Sequence, residues 1–251
     1  MTQIIHTSAV VMQAIRWKDS SKIVTFLTET DGLVKLIVRG AYRKNSPLAG
    51  RLETLNEVRL VYYKKSSRDL QMMKEIDLVN DFSVLKTDFS RYPFALALLE
   101  ALKNTLEYAH GDAVFYGFVV EMLHAIAESS VPNVPFIYFL LKLCSYLGFR
   151  PYFDNCRGNR QSACLRDMNF FSLNTGNRVC GACDAMDGAL ERLSRAEIFF
   201  LQNLQNERYR RLRATEYHCR EWKHVVQVLL RYISVQTDRP LTLKALDLIA
   251  H

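Results

Sequence analysis

The stretch SKIVTFLTETDGLVKLIVRGAYR, residues 21–43, decides the fold. Residues 21–29 are rich in Val, Ile and Thr, side chains that suit a pleated, half-buried surface. Thr30-Asp31-Gly32 then reads as a turn, because Gly takes a positive φ at no steric cost and Asp hydrogen-bonds its own backbone. Residues 33–39 alternate beyond it: Val34, Leu36 and Val38 share one face, and Leu33, Lys35, Ile37 and Arg39 the other. The two-residue period therefore sets Lys35 and Arg39 side by side, opposite the apolar face. Residues 40–50 (GAYRKNSPLAG) carry the Gly, Asn, Ser and Pro of a loop.

Outward from this stretch the β character continues. Residues 7–15 have the same composition, and residues 56–64 alternate with Val58, Leu60 and Tyr62 on one face. Residues 64–68 form a basic turn, after which Leu70, Met72, Ile76 and Leu78 pattern a fifth strand. Five short strands within residues 1–80 predict a small barrel, which also leaves no exposed sheet edge.

The period changes near Asp81. Pro93 fits the first turn of a helix carrying Leu98, Leu99, Leu102 and Leu106, and Asp112 caps a second with Val119, Leu123 and Ile126 inward. Asn133 and Pro135 open a third over residues 136–147, apolar nearly all round and so central, which Gly148 ends. Helical periodicity is lost over residues 149–188 and resumes at 194–206, 216–236 and 241–250. The fold class is thus α+β: a β-barrel at 1–80, then a helical domain at 81–251 that contains a cysteine-bearing insertion at 150–187.

Charge is unevenly placed along the chain. Residues 35–68 hold nine Lys or Arg against two acidic residues, a balance equal to the net +7 of the whole protein. The basic members are Lys35, Arg39, Arg43, Lys44, Arg51, Arg59, Lys64, Lys65 and Arg68, with Tyr42, Tyr62 and Tyr63 among them. Cations attract phosphates irrespective of sequence by releasing counterions, and aromatic faces stack unpaired bases. The candidate nucleic-acid contacts are Lys35, Arg39, Arg43, Lys44, Arg59, Lys64 and Lys65 for phosphates, with Tyr42 and Tyr63 for stacking. Tyr62 lies with Val58 and Leu60 and belongs to the core. The competing reading is a solvated basic surface.

Four of the six cysteines, Cys156, Cys164, Cys180 and Cys183, are spaced C-x7-C-x15-C-x2-C. Structural zinc takes four soft ligands in a tetrahedron, and a C-x2-C pair meets that demand from one tight turn. The second pair is a good half-site; the first is wider than usual. Four-cysteine zinc, a site completed by Cys144 or Asp154, and free thiols all stay open. Cys144 lies in the apolar helix and reads as core, and Cys219 beside His218 as a packing or surface residue.

No Gly-rich phosphate loop, HExxH or GxSxG motif occurs, the six histidines are scattered, and no tight carboxylate cluster suggests a two-metal nuclease. The N-terminus lacks the basic and apolar regions of a secretory signal. The most apolar run, 134–149, is broken by Lys142 and Ser145 and falls short of the ~20 residues that span a bilayer. The expectation is a soluble, cytoplasmic, membrane-free binder rather than an enzyme.

Lys18-Asp19-Ser20-Ser21-Lys22-Ile23-Val24-Thr25-Phe26-Leu27-Thr28, then Gly32, then Val38-Arg39-Gly40-Ala41-Tyr42-Arg43, resembles the opening of the RecO family of bacterial recombination mediators. The family begins with an acidic or Ser-containing turn before an IVT-x-x-T strand, followed by a Gly turn and a strand ending x-R-G-A/V. The likeness extends in pattern over nearly the whole chain. It implies an oligonucleotide-binding (OB) barrel, a helical domain and, in many members, a zinc module. It further implies binding of single- and double-stranded DNA, strand annealing, and partnership with RecR and single-strand-binding protein in loading RecA on nucleoid DNA. Residues 39–43 would then contact DNA and the four cysteines would hold zinc. The C-x7-C spacing departs from the family's C-x2-C. Arg208, Arg210, Arg211 and Arg213, beside Phe199, Phe200 and Leu204, would receive the acidic tail of single-strand-binding protein; solvated charge is the plain alternative. A protein-interaction adaptor, an RNA-binding OB protein and a nuclease remain as competing functions.

Overall fold

The computed structural model of the chain describes residues 2–41, 48, 50–106, 110–154, 156, 170–180, 189–206 and 218–249. All five expected strands form: β1 (Gln3–Trp17), β2 (Ser21–Thr28), β3 (Gly32–Val38), β4 (Glu57–Lys64) and β5 (Leu70–Asn80). They pair in the order β1-β2-β3-β5-β4 and close into a barrel. Every pairing is antiparallel except β3 with β5, which run parallel. A parallel pair needs a long crossover, and residues 39–69, which include β4, provide it. The interior holds Val24, Phe26, Val34, Leu36, Val38, Val58, Leu60 and Tyr62. Gly32 has φ +64, the left-handed turn conformation that the sequence predicts.

The fifth strand departs from the expected pattern. Val61 pairs with Glu75 but Tyr62 with Met73, so Lys74 is an extra residue on β5. One inserted residue resets the two-residue alternation of side chains. Met73 and Ile76 therefore pack on the barrel core. Leu70 and Met72, expected on the same face as Ile76, stand on the outside, and Leu78 is 44% exposed.

By internal contacts the chain divides into two units, Met1–Glu128 with Ala245–His251, and Ser129–Lys244. In the first, the barrel is followed by α1 (Ser83–Thr87), α2 (Tyr92–Thr105) and α3 (Ala113–Glu128). Pro93 sits in the first turn of α2, where its missing N–H costs nothing. The Asp112 carboxylate accepts the Phe115 N–H at 2.9 Å and caps α3, whose Val119, Leu123 and Ile126 are fully buried as expected. The expected helix at 241–250 is instead a 3-10 turn, Lys244–Ile249. So short a segment gains too few α-helical hydrogen bonds to offset nucleation.

The second unit is built on α4 (Asn133–Tyr146), buried on nearly every side, with α5 (Arg195–Asn206) and α6 (Trp222–Thr237) against it. Gly148, at φ +91, ends α4: its N–H reaches Ser145 O at 3.2 Å and that of Phe149 reaches Cys144 O at 3.0 Å. That pair of bonds is a Schellman cap. The expected irregular segment supplies β6 (Phe170–Ser172) and β7 (Arg178–Val179), and β8 (Leu190–Arg192), just beyond its expected end, completes a sheet of order β7-β6-β8. Phe171 on β6 stacks on Phe153 at 5.1 Å and meets Tyr232 of α6 edge-on at 5.2 Å. A capping box opens α5: Glu197 Oε2 accepts the Ser194 N–H at 2.7 Å, and Ser194 Oγ accepts that of Glu197 at 3.2 Å. No described helix is long and apolar enough to cross a membrane.

Candidate nucleic-acid interface

Register fixes what the barrel shows to the outside. Ile15 pairs with Ile23, Ile23 with Ile37, Ile37 with Met72, Met72 with Tyr63 and Tyr63 with Ile4. Cross-strand partners point to the same face, so these six side chains form one outward apolar row. The row leaves β1 at Ile15 and returns to it at Ile4, the stagger that a tilted, closed barrel requires. Its end members are the most open, Ile4 at 51% and Ile15 at 48%.

Between β3, β5 and β4 the surface sinks into a groove of about 370 Å³. Ile37, Tyr63, Leu70 and Met72 line it, and Arg39, Lys65 and Arg68 stand around it. Lys35 is exposed one step along β3, opposite Leu70. Lys35, Arg39, Arg59, Lys65 and Arg68 form no ion pair with any described residue. An array of cations with no ion pair to a described residue attracts an anionic polymer.

Not every expected contact joins this array. Arg59 is exposed on β4 but lies away from the groove, opposite Ser8 and Asp77. Arg51 is committed to the Ile76 carbonyl at 2.6 Å and to Asp77 at 3.4 Å. Lys64 turns from the groove and pairs with Asp31, which also accepts the Tyr62 phenol hydrogen at 2.5 Å. Burial acts to raise the Asp31 carboxyl, but the hydrogen bonds from Lys64 and Tyr62 outweigh it and hold it below the usual aspartate range. Burial, then the Asp31 hydrogen bond and charge, push the Tyr62 phenol up. Tyr62 is 1% exposed, core as expected. Tyr42, Arg43 and Lys44 lie outside the described residues.

Sequence reasoning read Leu70 and Met72 only as part of the fifth strand's pattern, on one face with Ile76, and it left Arg68 and Ile37 out of the candidate contacts. Ile37 shares a parity with Arg39, which is the signal that finds it.

Of the four expected zinc ligands, Cys156 and Cys180 are described; Cys164 and Cys183 lie outside the described residues. Cys156 and Cys180 are both buried and share a small core with Val179, against which Phe170 and Leu190 pack. Two thiols from distant segments thus enter one enclosed site, a donor chemistry that fits zinc. No group of three or more possible ligands occurs among the described residues. Cys144 is fully buried in α4, and burial pushes its thiol up to about 12. The Arg208–Arg213 cluster also lies outside the described residues. Of its expected apolar neighbours only Phe199 is a surface, at 66% exposure; Phe200 and Leu204 are buried in the unit's core.

Residues 1–82 match the family described as Recombination protein O N terminal, and residues 86–245 match Recombination protein O C terminal. The chain belongs to the RecO family. A Symbiobacterium thermophilum relative named DNA repair protein RecO is 27% identical over 242 residues, 95% of this chain and 94% of the relative. A Chlorobium limicola RecO is 30% identical over 177 residues, 66% of this chain and 67% of the relative. The match to Chlorobium phaeobacteroides RecO, at 29% identity, spans 59% of that relative's length. The change near Asp81 that ends the β pattern falls at the junction of the two matched RecO regions.

Proposed function

We propose that this RecO-family chain is a non-enzymatic, DNA-binding and strand-annealing recombination mediator. In this reading it acts in the repair of gaps and double-strand breaks, with RecR and single-strand-binding protein, to load RecA on nucleoid DNA in the bacterial cytoplasm. One observation carries the reading: Arg39, Lys65 and Arg68 surround a single groove on the barrel, and none of them is ion-paired with a described carboxylate. The strand order and stagger suit an OB-type barrel, whose open face and adjoining loops are where oligonucleotides bind. The β4–β5 loop here carries Lys65 and Arg68. Relatives over most of the chain bear the name DNA repair protein. Annealing needs no bond chemistry; it needs two anionic strands held together on a cationic surface. For the cysteine module, we propose structural zinc on Cys156, Cys164, Cys180 and Cys183, which would tie that segment together.

The test is binding of labelled DNA across a salt series by an Arg39→Ala/Lys65→Ala variant. Each phosphate contact contributes ~0.7 to ~0.9 to the log–log salt slope. The variant should bind single strands and duplex more weakly, with a slope shallower by about one to two. An unchanged slope in a folded variant would refute the reading.

A further inference from the structure

We infer that the apolar floor of this groove, Ile37, Tyr63, Leu70 and Met72, is a site for unpaired bases, and that it lets the barrel prefer single strands over duplex. The inference rests on the reading that the barrel binds DNA and assigns the discrimination to side chains that carry no charge.

A sheet with one face on a core and the other in water alternates apolar and polar residues. The outward apolar row departs from that rule, and at the groove the departure is widened for an identifiable reason. The extra residue Lys74 turns Leu70 and Met72 outward, beside Ile37 and Tyr63 of the neighbouring strands. A bulge that re-aims side chains at a surface is a feature of functional sites. All four side chains remain half-buried, so they line a depression and do not project as isolated apolar residues.

The occupant must match both parts of the groove. Its middle must be flat or apolar, to cover a phenol ring, a thioether and two branched aliphatic chains. Its edges must be anionic, to face Arg39, Lys65 and Arg68. A nucleobase with its flanking phosphates meets both conditions. The Tyr63 ring offers a stacking face, and the unbranched, polarisable Met72 side chain adapts to bases of different size. In duplex DNA the base faces are covered by their neighbours, and turning one out costs a few kcal/mol. Duplex therefore reaches only the cationic rim, whereas a single strand reaches rim and floor.

The test uses the full-length chain and three labelled ligands of equal length: a mixed-sequence single strand, an abasic single strand and a duplex. The wild type should bind the normal strand about tenfold more tightly than the abasic one, the low end expected for one stacked base. A Tyr63→Ser/Met72→Gln variant should lose that tenfold on the normal strand only, with less than twofold change on the other two and no change in salt slope. Tyr63→Phe, which keeps the ring, should behave as wild type. Equal wild-type affinity for normal and abasic strands overturns the inference without recourse to any variant. An equal loss by the double variant on all three ligands also overturns it. If Arg39→Ala/Lys65→Ala still weakens binding in either case, the DNA-binding reading survives; if the wild type binds none of the three, both fall.

Discussion

Asp31, in the β2–β3 turn, accepts the phenolic hydrogen of Tyr62 at 2.5 Å and so closes one end of the barrel. The same carboxylate pairs with Lys64. A barrel core cannot easily hold a phenol unless its hydroxyl finds a partner, and Tyr62 is 1% exposed. Asp31→Ala leaves that hydroxyl unsatisfied and should destabilise the protein by about 2 kcal/mol, read from the urea midpoint. Because the Asp31 carboxyl is held below its ordinary value, its contribution is complete above the unfolded-state pKa of ~3.9 and is lost as pH falls through the lower native value. The wild type should therefore lose part of its acid stability through Asp31, and the Ala variant should show a flatter stability curve in that range.

The Asp31 pairing also separates two adjacent lysines. Lys64 already has a counter-charge, whereas Lys65 stands at the groove without an ion pair to any described residue. Lys65→Ala should weaken DNA binding and reduce the salt slope by nearly one; Lys64→Ala should leave affinity within about twofold. Equal losses from the two variants would place the DNA path across both lysines and away from the groove.

The contrast shows where sequence reading succeeds and where it stops. The alternation of residues 33–39 is readable because burying one face commits every second side chain, and Val34, Leu36 and Val38 are indeed the buried set. The face of β5 was not readable, since the bulge at Lys74 carries no Gly or Pro to announce it. Lys64 looked equivalent to Lys65 because the Asp31 partner comes from a distant turn brought near only by barrel closure. Phe200 and Leu204, by contrast, were legible: with Ile198 and Leu201 they recur at helical spacing on the buried stripe of α5, and Phe199 falls outside it.

Zinc is tested by elemental measurement on protein purified without chelator. About one zinc per chain is expected, and a Cys156→Ser/Cys180→Ser variant should lose it. Strong chelation should lower the melting temperature of the wild type, because a structural metal stabilises only the folded state. Metal-free protein with an unchanged melting temperature would leave the two buried thiols as ordinary core residues.

Glu197 stabilises the second unit from the first turn of α5. Its side chain is 4% exposed, and it receives His224 Nδ1 at 2.6 Å as well as the Ser194 N–H. Burial works to raise its carboxyl, but the His224 hydrogen bond and the two from Ser194 outweigh it and hold the carboxyl below the ordinary glutamate value. Its contribution is thus present above the unfolded-state pKa and disappears as pH falls through the native one. Glu197→Ala removes half of the capping box and should cost about 1–2 kcal/mol at neutral pH. The difference from wild type should shrink below about pH 4, as measured by denaturation at a series of pH values.

Gly176 offers a steric test. It holds φ +67, and a Cβ built there would lie 2.1 Å from the Tyr232 hydroxyl oxygen and 2.8 Å from its Cζ. Tyr232 cannot simply retreat, for its hydroxyl donates to the Phe149 carbonyl at 2.8 Å and its ring meets Phe149 and Phe171 edge-on. Gly176→Ala therefore combines the cost of a left-handed non-glycine residue, ~1–2 kcal/mol, with displacement of a packed aromatic. Together these should destabilise the protein by about 2–4 kcal/mol. The two parts can be separated, because Tyr232→Phe removes the atom that clashes most and leaves the backbone strain. In that background Gly176→Ala should cost about 1–2 kcal/mol, and the shortfall from the wild-type background measures the clash as a coupling energy between the two positions. If the cost is the same in both backgrounds, strain at φ accounts for all of it, and Tyr232 does not hold residue 176 to glycine.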